Sequence, residues 1–250
     1  MQRYFIADDQ LADDQGLISG DDVHHIINVM RASVGDRIIV CCERKSYLTE
    51  ITELNKMEVQ FRVVEAKEEE VELPVFVTIA QGIVKGDKFD LVIQKGTECG
   101  ASGFVPVEMK RSVARIDGPK ADKKVARWQK IALEAARQSH RQVVPVVEMP
   151  VDMRGFLELV ANYDVCLFAY EAYHDDAKYR LADVVGYLES GMRVLVLIGP
   201  EGGIDEGEVS ILTEAGFKAI GLGPRILRTE TAPIYVMSAL SYGLEIERRI

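Results

Sequence analysis

No run of about 18 apolar residues occurs in the sequence, so no transmembrane helix and no membrane partner are expected. The opening residues, Met1-Gln2-Arg3-Tyr4-Phe5, are followed by Asp8, Asp9, Asp13 and Asp14, too acidic and too poor in apolar content for a signal peptide. Cysteine is scarce. Cys41, Cys42, Cys99 and Cys166 form no CxxC pair. Adjacent cysteines rarely bridge each other, so the expectation is reduced thiols in a cytoplasmic protein. Positive charge is short as well: 30 Lys and Arg stand against 40 Asp and Glu, a net charge of -10. A chain acidic overall is a poor polyanion binder on average, since neutralising phosphates takes Lys and Arg. However, Glu65 to Glu72 supply much of the excess, and a basic face can coexist with an acidic one elsewhere. Composition therefore leaves the partner open. No internal repeat and no low-complexity tract is present.

What is present is an apolar fraction of 48%, enough to fill a core, arranged in two regimes. Residues 1–72 read as short strands around one helix. Arg37 to Cys42, Tyr47 to Thr52 and Met57 to Val64 are strand candidates by β-branching or alternation. Asp21 to Arg31 reads as the helix, with Val23, Ile26, Ile27 and Met30 on one face. A small β-barrel is the expectation, closed off by an acidic linker from Lys67 to Glu70 and then Pro74. From residue 73 to 250 strands and helices alternate. The strand candidates are Val75 to Ala80, Gly103 to Val107, Val143 to Val147, Val165 to Ala169, Arg193 to Ile198 and Ala219 to Leu222. Between them, Lys88 to Glu98, Asp122 to His140, Phe156 to Ala161, Leu181 to Leu188, Glu206 to Ala215 and Thr231 to Glu247 read as helices. Apolar strands between amphipathic helices mean an α/β domain with a parallel sheet covered on both faces.

Two glycine-proline loops stand out, each following a strand and leading into a helix. Leu197-Ile198-Gly199-Pro200-Glu201-Gly202-Gly203-Ile204-Asp205 is the first, with Asp205 and Glu208 in capping-box spacing. A tight turn would account for it. Gly221-Leu222-Gly223-Pro224-Arg225-Ile226-Leu227-Arg228-Thr229-Glu230-Thr231-Ala232 is the second. Capping accounts for its threonines and Glu230, but not for Arg225 and Arg228 beside a helix N-terminus, where the dipole disfavours cations. That misplacement points to an anionic or electron-rich partner at the carboxyl ends of the strands, where open α/β sheets bind ligands. A dinucleotide-dependent oxidoreductase would instead want G-x-G-x-x-G after the first strand of this part. Val75 to Gly82 leads to Ile83-Val84-Lys85-Gly86, and a P-loop is absent too.

The two loops together resemble those of the SPOUT class of methyltransferases, which carry a trefoil knot at the C-terminal end of an α/β sheet. Within that class the chain is most similar to the family that methylates N3 of a uridine in 16S ribosomal RNA of the small subunit. His24-His25 through Val29-Met30-Arg31, Lys85-Gly86-Asp87-Lys88, Gln94-Lys95-Gly96-Thr97-Glu98 and Glu134 to Arg141 agree with it, so the resemblance covers nearly the whole chain. It implies a PUA-like RNA-binding barrel over 1–72 and a knotted methyltransferase domain over 73–250. It also implies a homodimer, and S-adenosyl-L-methionine held bent in the knot by backbone groups. Carried onto this chain, those groups belong to Ile198, Gly199, Gly202, Leu222, Gly223 and Leu227, with a third wall near Phe168, Tyr170 and Glu171.

The chemistry asks for little acid help, because a sulfonium leaves as a neutral thioether. Uridine N3 must lose its proton, and the charge spreads onto the flanking carbonyl oxygens. Arg228 is the candidate to stabilise that charge. Glu230 is the candidate base, or orients Arg228; the sequence does not separate these roles. Arg3, His25 and Arg31 on the barrel, with Lys95 and Arg141 on the second domain, are candidate RNA contacts, within wider basic sets that include Arg37, Lys45, Lys85, Lys88, Arg111 and Arg137. His140 and Arg141 also suit the end of a long helix without any ligand. His174-Asp175-Asp176 is one histidine beside two acids, and no metal is assigned to it. The alternative reading is a non-catalytic RNA-binding ribosome-assembly protein that keeps the fold. The intact Arg228-Thr229-Glu230-Thr231 segment weighs against it.

Overall fold

A computed structural model describes residues 1–116, 118–171 and 180–248. They cluster into two compact units. The first is Met1–Glu72 with Ala136–Val144, and the second is Leu73–Ala135 with Pro145–Ile250. The segment 136–144, which the sequence pattern gives to the second regime, thus packs with the first.

The first unit is a curled six-stranded sheet. Its strands are β1 (Arg3–Phe5), β2 (Leu11–Ala12), β3 (Gln15–Ser19), β4 (Arg37–Cys42), β5 (Lys45–Leu54) and β6 (Glu58–Lys67), with helix α1 (Asp21–His24) after β3. They pair in the order β1-β4-β5-β6-β3-β2, antiparallel except for β1 beside β4. The sheet curls around Tyr4, Ile18, Val40, Ile51, Val59 and Phe61, and Val23 and Ile26 close the core from the helical segment. That segment is not one α-helix through Arg31. It widens to a π-helix over His25–Val29, where Met30 N donates to His25 O at 2.9 Å, and Arg31 then turns left-handed at φ 54°. β6 runs on to Lys67, so the stretch expected as linker begins as strand.

The second unit is an all-parallel sheet with helices on both faces. Its strands are β7 (Phe76–Gly82), β8 (Gly103–Glu108), β9 (Val146–Val147), β10 (Val151–Asp152), β11 (Val165–Ala169), β12 (Arg193–Ile198) and β13 (Lys218–Ile220). Its helices are α2 (Lys88–Glu98), α3 (Gly118–Gln138), α4 (Met153–Glu158), α5 (Leu181–Tyr187), α6 (Glu206–Glu214) and α7 (Thr231–Ser241). The strand order is β10-β8-β7-β12-β11-β13, with β9 also on β8. Successive side chains of a strand face opposite sides. Leu195 and Leu197 of β12 pack with Phe156, Phe168 and Leu212, while Val194 and Val196 at the alternate positions are equally buried, so both faces are covered. The final helix shifts at Tyr242 from α to π geometry, which continues to Arg248. Among the described residues no helix is long and apolar enough to cross a membrane.

Candidate active site

β12, β11 and β13 lie side by side, and the three chain segments leaving their carboxyl ends converge on a cavity of about 390 Å3. That size suits a nucleoside-scale ligand, since small-molecule sites run from roughly 300 to 1,000 Å3. Of the residues expected to hold a cofactor, Tyr170, Glu171, Ile198, Gly199, Leu222, Gly223 and Leu227 line this cavity. Gly202 does not. It backs onto Arg111, whose Nη1 donates to Gly202 O at 3.1 Å, and a Cβ there would stand 3.0 Å from Arg111 Cβ. Phe168 is buried beneath, in the core.

Local chemistry shapes each loop. After β12 the chain turns back at Pro200, with Gly203 N donating to Pro200 O at 2.9 Å and Gly203 at φ 72°, where side chains rarely go. Gly199 faces the inside of that turn, and a Cβ on it would meet Ile204 Cγ1 at 2.9 Å. Asp205 then caps α6 in the capping box expected from sequence: it accepts from Gly207 N at 3.1 Å, and its own N–H donates to Glu208 at 3.1 Å. The Lys110 ammonium donates to Asp205 at 2.8 Å, and this contact, the first of several, holds the Asp205 carboxyl below its usual range.

The second loop lines the cavity with Leu222, Gly223, Leu227, Thr229 and Glu230. Gly223 sits at φ 90°, and Arg225, Ile226 and Arg228 project at the rim. No side-chain hydrogen bond engages the Arg228 guanidinium among the described residues. Glu230 is largely buried, and its Oε2 accepts no hydrogen bond. Lys88, at the start of α2, stands between the loops: its Nζ is 2.8 Å from Glu201 and 3.8 Å from Glu230 Oε2. The hydrogen bond to Glu201 raises the Lys88 pKa above its ordinary value. Burial works to raise that of Glu201, but the Lys88 contact and the amides of Glu201 and Lys85 outweigh it and leave the carboxyl below its ordinary value. Lys88 is expected from the sequence only within the wider basic set that could meet RNA and within a segment shared with the family, and Gln81, a buried residue whose amide meets both loops, carries no expectation at all. Neither had a local signal, because their partners lie more than a hundred residues away.

The comparisons agree with this architecture. A model of the RNA methyltransferase domain matches residues 71–241, and one of the RNA methyltransferase PUA domain matches residues 18–64. Ribosomal RNA small subunit methyltransferase E of Bacillus subtilis is 44% identical over 254 residues, covering 99% of each chain. The chain belongs to the ribosomal RNA small subunit methyltransferase E family. Another member, from Synechocystis, is 29% identical across 97% of this chain and 78% of its own. The solved structure of the Neisseria gonorrhoeae member, bound to S-adenosyl methionine, superposes with a TM-score of 0.81 at 29% identity, covering 96% of each chain. The PUA-like first unit and the parallel α/β second unit are thus the architecture of this family.

The cations expected to meet RNA in a member of this family divide into two groups. Arg31 is exposed, at the end of the π-helix. His25 is half-buried, its Nδ1 3.0 Å from the Tyr4 hydroxyl, and Lys95 is partly exposed and paired with Glu98 at 2.8 Å. Arg3 and Arg141, by contrast, are buried. Arg3 donates to Ser46 at 2.9 Å and Glu69 at 2.7 Å, and Arg141 is paired with Glu72. Taking such a cation out of water costs several kcal/mol per ion unless it is paired. Both arginines are therefore committed to the unit's own carboxylates, which corrects the expectation that a phosphate reaches them. His174, Asp175 and Asp176 lie outside the described residues. Among those described, no group of three or more His, Cys, Asp and Glu is placed to hold a metal.

Proposed function

We propose that this protein transfers a methyl group from S-adenosyl-L-methionine to N3 of a uridine in 16S ribosomal RNA. The observation that carries the reading is a loop-built cavity, in a chain of this family, with Arg228 and Glu230 among its lining residues. The residues fit the cofactor. Ile198, Ile220, Leu222 and Leu227 offer apolar walls to a purine, Gly199, Gly203 and Gly223 bring the main chain close, and Glu171 and Glu201 offer carboxylates to a cationic ligand.

When bound, the cofactor supplies an electrophilic methyl on a sulfonium. The chain's own task is to make uridine N3 a nucleophile. Glu230, with a carboxylate oxygen that has no hydrogen-bond donor, takes the N3 proton. The uncommitted Arg228 guanidinium donates to the uracil carbonyl oxygens as negative charge spreads onto them. Lys88, 3.8 Å from Glu230, holds that carboxylate in place before transfer.

The finer features are read in the same way. The trefoil knot rests on the family resemblance and is supported by a strand order in which β12 separates β7 from β11 and the last strand joins the far side of β11. Exposed Tyr235, Tyr242 and Ile246 on the last helical segment support a homodimer. The barrel, over 1–72, would hold RNA within the small ribosomal subunit through Arg31 and His25, in the cytoplasm. The test is incubation with methyl-labelled S-adenosylmethionine and small subunits lacking the modification, followed by nucleoside analysis. Label is expected in 3-methyluridine. Arg228→Ala should lower the rate by about a hundredfold or more, as loss of an oxyanion donor does, with cofactor binding retained. Cofactor binding without label in RNA would sink the uridine assignment. No cofactor binding at all would favour the non-catalytic RNA-binding reading.

A further inference from the structure

Gln81 is the next-to-last residue of β7 and is fully buried, yet it does not line the cavity. Its Nε2 lies 2.8 Å from Thr229 Oγ1, 3.2 Å from both Gly199 O and Gly82 O, and 3.5 Å from Ile198 O. Three carbonyls around that atom settle which end of the amide is nitrogen. Thr229 in turn donates to Gly199 O at 2.6 Å. One amide therefore spans two loops that the chain reaches 118 and 148 residues later. Its Oε1 is buried with no hydrogen-bond partner. An orphaned acceptor of this kind is a cost to the fold, about 1–3 kcal/mol by general experience.

We propose that Gln81 is a positioning residue, which ties the loop after β12 to the loop after β13 and so fixes the backbone groups that receive the cofactor. The inference rests on the methyltransferase reading. Gly199 and Thr229 are both on the cavity wall, so anything that sets their separation sets the width of the cofactor's seat. Gln81 touches neither the cavity nor the reacting atoms. Its effect belongs in cofactor binding and not in the methyl-transfer step, because binding that is equal in ground and transition states moves KM alone.

The test is Gln81→Met, which keeps length and apolar volume and removes both the tying donor and the orphaned acceptor. Gly199 O keeps the Thr229 hydroxyl, so the variant is expected to fold with a melting temperature near that of the unaltered protein. Its KM for S-adenosylmethionine should rise about tenfold, the ratio expected from about 1.4 kcal/mol of binding, with kcat at saturating cofactor within about twofold. Thr229→Val removes the other end of the tie. The double variant should be little worse than the poorer single one, since the two act as a unit. An unchanged KM in folded Gln81→Met overturns the inference. So does a parallel fall of kcat and kcat/KM accompanied by a lower melting temperature, which would mark a general structural role, and so does full additivity with Thr229→Val. If the unaltered protein neither binds the cofactor nor methylates RNA, the methyltransferase reading falls and this one with it.

Discussion

Gly82 shows how little room one residue has at the edge of the site. A Cβ on it would stand 2.5 Å from Pro200 Cδ and 2.6 Å from Pro200 N, with Met109 Sδ at 2.9 Å. Two of those atoms belong to the loop that forms the cavity, and a proline ring and its main chain cannot rotate away. Gly82→Ala should therefore push the Pro200 turn outward. The expected cost is about 1–3 kcal/mol, as for other overpacked positions, together with weaker cofactor binding, read by urea unfolding and by titration with S-adenosylmethionine. Gly186→Ala is the control: nothing lies within 4 Å of its Cβ position on α5, so it should be neutral or slightly stabilising. A Gly82→Ala protein with unaltered stability and affinity would show that the turn yields freely. The place of Arg228 at the cavity was legible in the sequence because a cation at a helix N-terminus violates a local rule. Gln81 and Gly82 break no local rule. Their meaning lies in which distant loop they touch.

At the scale of elements, the acidic stretch after β6 is a clamp. Glu72 accepts from Arg141 Nε at 3.1 Å and from the backbone amides of Gln142 at 2.8 Å and Val143 at 3.2 Å, and Glu69 holds Arg3. The segment it grips follows α3, which ends where His140 turns left-handed at φ 60° and Arg141 N reaches back to Ala136 O at 2.9 Å. The side chains of both partners are buried, Arg141 at 3% exposed and Glu72 at 9%, so Glu72→Ala removes a buried ion-pair partner and the acceptor of two backbone amides, and should cost about 3–5 kcal/mol in urea unfolding. Adding Arg141→Met should recover part of that, because the buried cation that lost Glu72 goes too. A cost below about 1 kcal/mol, the size of an exposed pair, would show that water reaches the pair. Helices and central strands were the legible elements: α2 and β12 begin and end where periodicity and apolar runs put them, at Lys88–Glu98 and Arg193–Ile198. Elements whose pairing is long-range were not. β1 is three residues whose only claim to be a strand is its place beside β4, and β9 keeps two residues of the five expected, sharing its edge of β8 with β10. A run of glutamates read along the chain is a solvated linker. Only the fold supplies Arg141, sixty-nine residues on.

For the whole molecule, two compact units and a single tryptophan make the central claim measurable without RNA. Trp128 lies on α3 within the second unit, buried, edge-on to Phe89 with ring centroids 4.6 Å apart, its Nε1 donating to Asp90 at 3.0 Å. Its fluorescence therefore follows the unfolding of the unit that carries the cavity. A ligand that binds only the native state adds RT ln(1 + [L]/Kd), about 2.7 kcal/mol when present at a hundred times Kd. S-adenosylmethionine should raise the temperature of the Trp128 transition by the corresponding amount. Arg228→Ala should keep that shift, because its guanidinium is assigned to the uracil and not to the cofactor. Gln81→Met should shrink it, because the seat is looser. If the first unit melts separately, seen as a second transition by calorimetry, that transition should not move, since none of the cavity's residues belongs to it. A Trp128 transition indifferent to saturating cofactor would count against the cavity as its site, whatever the family resemblance. The net charge of -10 enters here as well. The cofactor is small and cationic at its sulfonium, so its binding does not depend on the overall sign, whereas docking on RNA works against it. The thermal shift should thus survive in low and high salt alike, while any RNA affinity falls steeply as salt rises.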